Sequence, residues 1–185
     1  MSRRCLSYDM QGLSYREYLQ LYHNIELPLV TFQDILKNSS DICSNVLHKC
    51  RPLEFLAHYL NQGYYPFGTE GFGIYNQRVE NIVDLLLNIE LPQLRKIDIG
   101  NIRKIKNLLS IIATQVPMLV DISKLATLNG IARTTMLAYL QYLNEAKLIR
   151  LLYSDDLSVK KMQKPDKMLM ENSNLLKILS LKDRK

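Results

Sequence analysis

The sequence predicts a mainly α fold: a helical bundle over 1–117, then a winged helix-turn-helix with a small β-hairpin over 118–173. Three observations carry this. Apolar residues recur at helical spacing in Gln77–Leu91 (Val79, Ile82, Val83, Leu86, Leu87) and in Asn101–Gln115 (Ile102, Ile105, Leu108, Leu109, Ile112). A cap, a short helix, a glycine turn and a second helix follow one another from Asp121 to Leu143. Two apolar runs suited to strands, Leu148–Tyr153 and Lys167–Glu171, enclose the polar, lysine-bearing stretch Ser154–Asp166, which reads as the wing.

Asp121 caps a helix that carries Ile122, Leu125 and Ala126 inward. Asn129-Gly130 stops it, because glycine tolerates the left-handed turn. Met136, Leu140 and Leu143 then share one face of the second helix at i, i+4, i+7.

Ahead of this unit, Ser2–Tyr8 reads as the end of a strand. Ser14 with Glu17 three residues on is a capping box, opening a helix with Tyr15, Tyr18, Leu19 and Tyr22 along one face. Pro28 ends that segment. Thr31 with Asp34 makes a second cap, Phe32, Ile35 and Leu36 continue helically, and a further short helix covers Ser40–Lys49. Pro52 stands at a favoured first-turn position. Leu53, Leu56 and Leu60 give a helical face ending at Gly63. Gly63-Tyr-Tyr-Pro-Phe-Gly68, with Gly71 and Gly73 close behind, is a shaped loop. Pro92 closes the Gln77–Leu91 helix, and Pro117 punctuates the entry to the winged helix. Residues 174–185 start an apolar helix or linker that the chain does not finish packing, so both ends read as joined to further polypeptide. Asn24-Ile-Glu-Leu-Pro28 recurs as Asn88–Pro92, but the flanks differ and no repeat architecture follows.

Hydrophobic residues make up 47% of the 185, enough to bury a core. No apolar run approaches the roughly 18 residues that span a membrane, and the start has no signal-peptide pattern. Three cysteines, Cys5, Cys43 and Cys50, are too few and too scattered for a disulfide framework, so a cytoplasmic setting is expected. The net charge of +6 is unevenly placed. Up to Pro117 there are 12 basic and 11 acidic residues; from Met118 there are 12 and 7. A basic excess there is what phosphate binding needs, and it is also what a solvated lysine-rich surface shows.

Five stretches occur in order: Ser2-Arg3-Arg4, Gly12-Leu-Ser-Tyr-Arg-Glu-Tyr-Leu19, Gly63-Tyr-Tyr-Pro66, the winged helix, and Lys164-Pro-Asp-Lys-Met-Leu-Met-Glu-Asn172. Together they resemble prokaryotic AAA+-like ATPases with a C-terminal domain of unknown function, most closely the Bacteroidetes-type members. The resemblance covers essentially the whole chain. It implies that 1–11 is the end of an ATPase core, that 12–117 is the helical lid-like domain, and that the winged helix follows. It implies ATP and Mg for the full-length relative, with the missing ATPase core as a partner. This chain departs from the pattern, because no G-x-x-x-x-G-K-[S/T] sequence exists. Thr69 stands where the lysine would have to be after Gly63 and Gly68. Nothing then counters the β- and γ-phosphate charge, so no cofactor and no ATP hydrolysis are expected of this chain alone.

The resemblance marks Arg3 and Arg4 as candidate sensor or finger arginines; a basic terminus without that role is the plain alternative. The second helix of the helix-turn-helix is the candidate for double-stranded DNA. Arg133 suits guanine and Gln141 adenine, while Thr134, Thr135 and Tyr139 suit phosphates, as do Lys160, Lys161 and Lys164 on the wing. Leu137 and Ala138 are poor base readers, so packing on another domain competes with DNA reading. Cys43, His48, Cys50 and His58 lack the paired spacing of a zinc site, and no metal is expected. The tyrosines fit helix contacts better than base stacking. Three functions remain open: a regulatory, DNA-contacting part of an AAA+-like protein, a stand-alone winged-helix DNA-binding regulator, and a protein-interaction module.

Overall fold

The computed structural model describes Tyr8 and residues 10–69, 71–95, 97–115, 118–119, 121–153 and 164–182. It is mainly helical with a small antiparallel sheet, and it divides into two compact units, 1–72 and 73–185.

The first unit holds α1 (Tyr15–His23), α2 (Phe32–Lys49) and α3 (Pro52–Gln62). Both expected capping boxes form. The Ser14 hydroxyl accepts from Glu17 N–H at 3.3 Å while Glu17 accepts from Ser14 N–H at 2.8 Å; Thr31 and Asp34 repeat the exchange at 3.2 and 3.0 Å. Asn24 ends α1 in the left-handed conformation, at φ 54°. The two helices expected over Phe32–Lys49 are one, interrupted only at Asn38, where φ falls to −128°. Helical order resumes at once, so the kink does not become a loop. α2 has no buried residue, and Phe32, Leu36 and Leu47 are exposed. The Leu53/Leu60 face of α3 is also exposed, and Gln62 is its buried residue.

The second unit holds α4 (Phe72–Leu85), a π-helical turn (Leu86–Glu90), α5 (Leu91–Arg95), α6 (Ile99–Gln115), β1 (Met118–Leu119), α7 (Ile122–Asn129), α8 (Arg133–Glu145), β2 (Ile149–Leu152), β3 (Lys167–Met170) and α9 (Ser173–Lys182). Pro92 does not close the helix begun at α4; it lies in the first turn of α5. The turn ahead of it widens, with Leu91 N–H donating to Leu86 O five residues back. Proline is tolerated there because its missing N–H falls where a new helical turn begins.

α6 is the spine. Ile102, Ile105, Leu108, Leu109, Ile112 and Ala113 are all buried, and α6 packs on α7, α9, β3 and the π-helical turn. The unit therefore runs from α4 to α9, and the expected boundary at 117 separates no compact bodies. α9 is likewise packed: Leu175, Ile178 and Leu179 are buried and Asn174 accepts from the Tyr75 hydroxyl. The sheet order is β1-β3-β2, both pairs antiparallel, with Met118 opposite Met168 and Leu151 opposite Met168 on the other side. β1 is an addition to the expected hairpin.

The helix-turn-helix forms as its sequence predicts. The Asp121 carboxylate accepts from Lys124 N–H at 3.0 Å, Gly130 turns at φ 58°, and Met136, Leu140 and Leu143 are buried to 1% exposure or less. Leu143→Ala should therefore lower unfolding free energy by about 2–5 kcal/mol. Leu128→Ala, at a residue 60% exposed, should change it by less than about 0.5 kcal/mol. Urea denaturation of the two variants checks the contrast.

Candidate functional site

Two clusters of polar and aromatic side chains stand out, one in each unit. In the first unit, Tyr18 of α1 is fully buried and its ring neighbours Tyr15, Tyr22, His23, His58 and Tyr59. Its hydroxyl lies 2.6 Å from His58 Nδ1 and 3.1 Å from His23 Nε2, and Gln62 Nε2 lies 2.5 Å from His58 Nε2. Gln62 Oε1 is buried without a partner among the described residues, and the His58 ring nitrogens take donor or acceptor roles according to the tautomer. The Tyr18 hydroxyl stands between the two imidazoles and can donate to one of them.

The same cluster holds the Gly63–Gly68 loop. Leu13 N–H donates to Tyr64 O at 2.8 Å, Tyr59 donates to Leu13 O at 2.8 Å, and Tyr22 donates to Pro66 O at 2.9 Å. A Cβ on Gly68 would fall 2.2 Å from Gln62 O, and one on Gly63 would fall 2.6 Å from the Tyr59 Cα. These glycines admit the chain's own backbone. Gly12–Leu19 and Gly63–Pro66 thus meet in space.

Burial raises the pKa of Tyr18, helped by neighbouring Tyr15 and Tyr22, and burial raises those of Tyr22 and Tyr59 as well. Burial, and then the nearby His23, lowers that of His58. The groups around His58 are Tyr18 and His23 from α1 and Gln62 from its own helix.

The second cluster surrounds α8. Arg133, Thr134 and Gln141 are exposed, Thr135, Leu137 and Ala138 half-buried. Tyr139 is 5% exposed, and burial first, then Asp98, raises its pKa. Its ring is buried beside Met136, Leu140 and Leu143, and it also lines the groove that Thr134, Thr135 and Ala138 share with Asp98. Gln141 Nε2 already donates to Glu145 Oε1 at 3.0 Å. Thr134, Thr135 and Ala138 share a groove with Ile97, Asp98 and Asn101 from the start of α6. Arg95 of α5 sits 5.0 Å over the Tyr142 ring and pairs with Glu145.

Beneath the turn, Asn107 Nδ2 donates to Asn129 Oδ1 at 3.0 Å, and Lys104 Nζ reaches Gly130 O at 3.4 Å. Lys164 is half-buried at the foot of the hairpin. Arg3, Arg4, Lys160 and Lys161 lie outside the described residues, as does Cys5. Arg95, Asp98, Tyr142 and Glu145 carry no motif; they meet across about 50 residues of chain, beyond the reach of local spacing.

Residues 53–184 match a family described as a domain of unknown function, DUF8612. The chain belongs to that family. The matched stretch takes in nearly all of α3, the glycine loop and the whole second unit. Over 172 residues the chain is 26% identical to Uncharacterized protein MJ1637 of Methanocaldococcus jannaschii, a span that is 89% of this chain and 36% of that protein. The chain therefore spans about a third of the length of this curated relative. No solved structure matches the chain.

The histidine cluster yields a pH dependence with a definite sign. His58 has its pKa lowered by folding, so the unfolded chain binds its proton more tightly. The contribution is present above the unfolded value of about 6.5 and is lost as pH falls through the lower folded value. His58 should titrate below about 6.5 by NMR, and thermal stability should fall on acidification through that window. His58→Gln should remove this part of the fall.

Proposed function

We propose that this chain is a regulatory part of a longer AAA+-like ATP-binding protein and that its winged helix packs against protein instead of reading DNA. The groove beside α8 carries the second half of that reading. A recognition helix enters a major groove about 12 Å wide and offers donors to base edges. α8 offers one cation, Arg133, with Thr134, Leu137, Ala138 and Gln141. Asp98 flanks that face and its carboxylate repels phosphate, while Glu145 is paired with Arg95. The Arg95–Tyr142 contact also occupies the last turns of α8 with protein.

The ATP-binding half rests on the resemblance. Its two most specific stretches, Gly12–Leu19 and Gly63–Pro66, are joined through Leu13 and Tyr64. The relative's greater length leaves room for a nucleotide-binding core, which is where ATP and Mg would bind and which is the first partner expected. No described helix is long and apolar enough to cross a membrane. The free thiols Cys43 and Cys50 fit a reducing, cytoplasmic setting.

One observation favours the stand-alone DNA-binding regulator: the basic excess after Met118, with Lys164 and the exposed Lys167 on the hairpin. Fluorescence anisotropy of a labelled random duplex, at low and physiological salt, decides between the two. The packing reading expects no saturable binding tighter than about 100 μM at physiological salt. Affinity that falls about a thousandfold between 50 and 200 mM salt, and is lost in Arg133→Ala, would overturn it. Calorimetry with MgATP should be flat for this chain alone, and a saturable signal would sink the assignment of nucleotide to another part of the protein.

A further inference from the structure

α4, the π-helical turn, α6 and α9 line a half-open pocket of about 170 Å³, bordered by Val83, Asp84, Leu87, Lys106, Leu109, Ser110 and Leu179. Its walls are apolar core: Val83, Leu87 and Leu109 are at most 3% exposed, and Leu179 is 8% exposed. A cavity of roughly 150 Å³ with such walls accepts a benzene-sized guest, so this one has room for an alkyl group of about four carbons. Two opposite charges stand at the rim. Lys106 Nζ lies 3.0 Å from Asp84 Oδ1, and both side chains remain partly open to solvent. Leu87 belongs to the π-helical turn, a geometry that recurs where ligands bind.

We infer that this cavity binds a free branched aliphatic amino acid in its zwitterionic form, such as leucine. The alkyl group fills the space between Val83, Leu87, Leu109 and Leu179. The ligand carboxylate faces Lys106 and its ammonium faces Asp84, completing a ring of alternating charge. A simple carboxylate meets Asp84 as a like charge, and a simple amine meets Lys106 as one. The rim therefore selects for a molecule that carries both. Glycine carries both but leaves the cavity empty. The site is remote in sequence from the α8 face and independent of whether that face meets DNA or protein.

The test is titration of the whole chain with leucine, followed by methyl NMR and thermal midpoint. 4-Methylpentanoate, isopentylamine and glycine serve as comparison ligands. The inference expects saturable binding of leucine, with each comparison ligand at least about tenfold weaker, the loss that one contact of ordinary strength represents. Lys106→Met and Asp84→Asn, both at the open rim, should each weaken leucine about tenfold. Leu109→Phe should abolish binding by filling the space. If Leu109→Phe fails to fold, the two rim variants still decide the matter. Absence of saturable leucine binding at about millimolar concentrations would overturn the inference. An equal response to leucine, 4-methylpentanoate and isopentylamine would do the same, by showing an apolar void without recognition of the charged head.

Discussion

The second unit depends on the apolar stripe of α6. Six of its residues, from Ile102 to Ala113, are buried along one side. A fully buried aliphatic side chain contributes roughly 1.5–3 kcal/mol, so the stripe outweighs any single polar contact in the unit. Everything else is placed by what it covers. α9 and the π-helical turn cover part of the stripe, and α7 and β3 cover the rest. The polar contacts then fix register on that base. Asn107 and Lys104 reach from α6 to Asn129 and Gly130, so the turn of the helix-turn-helix is tied to the spine. Arg150 and Glu171 pair at 2.6 Å beside the β2–β3 edge; the arginine is half open to solvent but the Glu171 side chain is only 5% exposed, so loss of Arg150 would leave a buried carboxylate without its cation.

The first unit is held in another way. α2 buries nothing, and the contact between α1 and α3 is built from rings whose hydroxyls have long-range partners. Tyr15 donates to Pro52 O, Tyr59 to Leu13 O and Tyr22 to Pro66 O. Each ring supplies area and each hydroxyl supplies direction. Such a network is sensitive to the loss of one member, because a partner left buried and unpaired costs more than the bond contributed. The Gly63–Gly68 loop is held by the Tyr22 hydroxyl on Pro66 O and by Leu13 N–H on Tyr64 O, and Gly63 and Gly68 face the chain's own backbone and not an open cradle.

These two modes explain what the sequence could disclose. Helical periodicity identified α4 and α6 because their buried residues follow the spacing that burial imposes. The caps at Ser14, Thr31 and Asp121 and the turn at Gly130 were legible because each is decided within four residues. The π-helical turn was not, since widening to Leu86 depends on neighbours that no local pattern records, and Pro92 looked like a stop when it is a restart. β1 is two residues long, too short for any alternation, and it exists only through its pairing with β3. The burial of Tyr139 was not legible, because a tyrosine on a helix can face either way and the packing around α8 decides it. The groove with Asp98 was out of reach for the same reason: it joins residues about 35 positions apart.

A helix-turn-helix is a way of packing two short helices, and the fold alone says nothing of what the second helix touches. In α8 the inward face is decided by Met136, Leu140 and Leu143, and those residues would be the same in a DNA reader and in a packing domain. The outward face is where the two diverge. A reader needs several cations and flexible donors facing a clear approach. Here a single arginine stands at the start of the helix, a glutamine is held by its own neighbour Glu145, and Arg95 lies over the Tyr142 ring. Arg95 meets the Tyr142 ring and the Glu145 carboxylate at the surface. The Arg95–Glu145 pair is about two-fifths exposed on each side, so it orients α5 against α8 and adds little stability, and the outward face of α8 keeps Arg133 as its one cation.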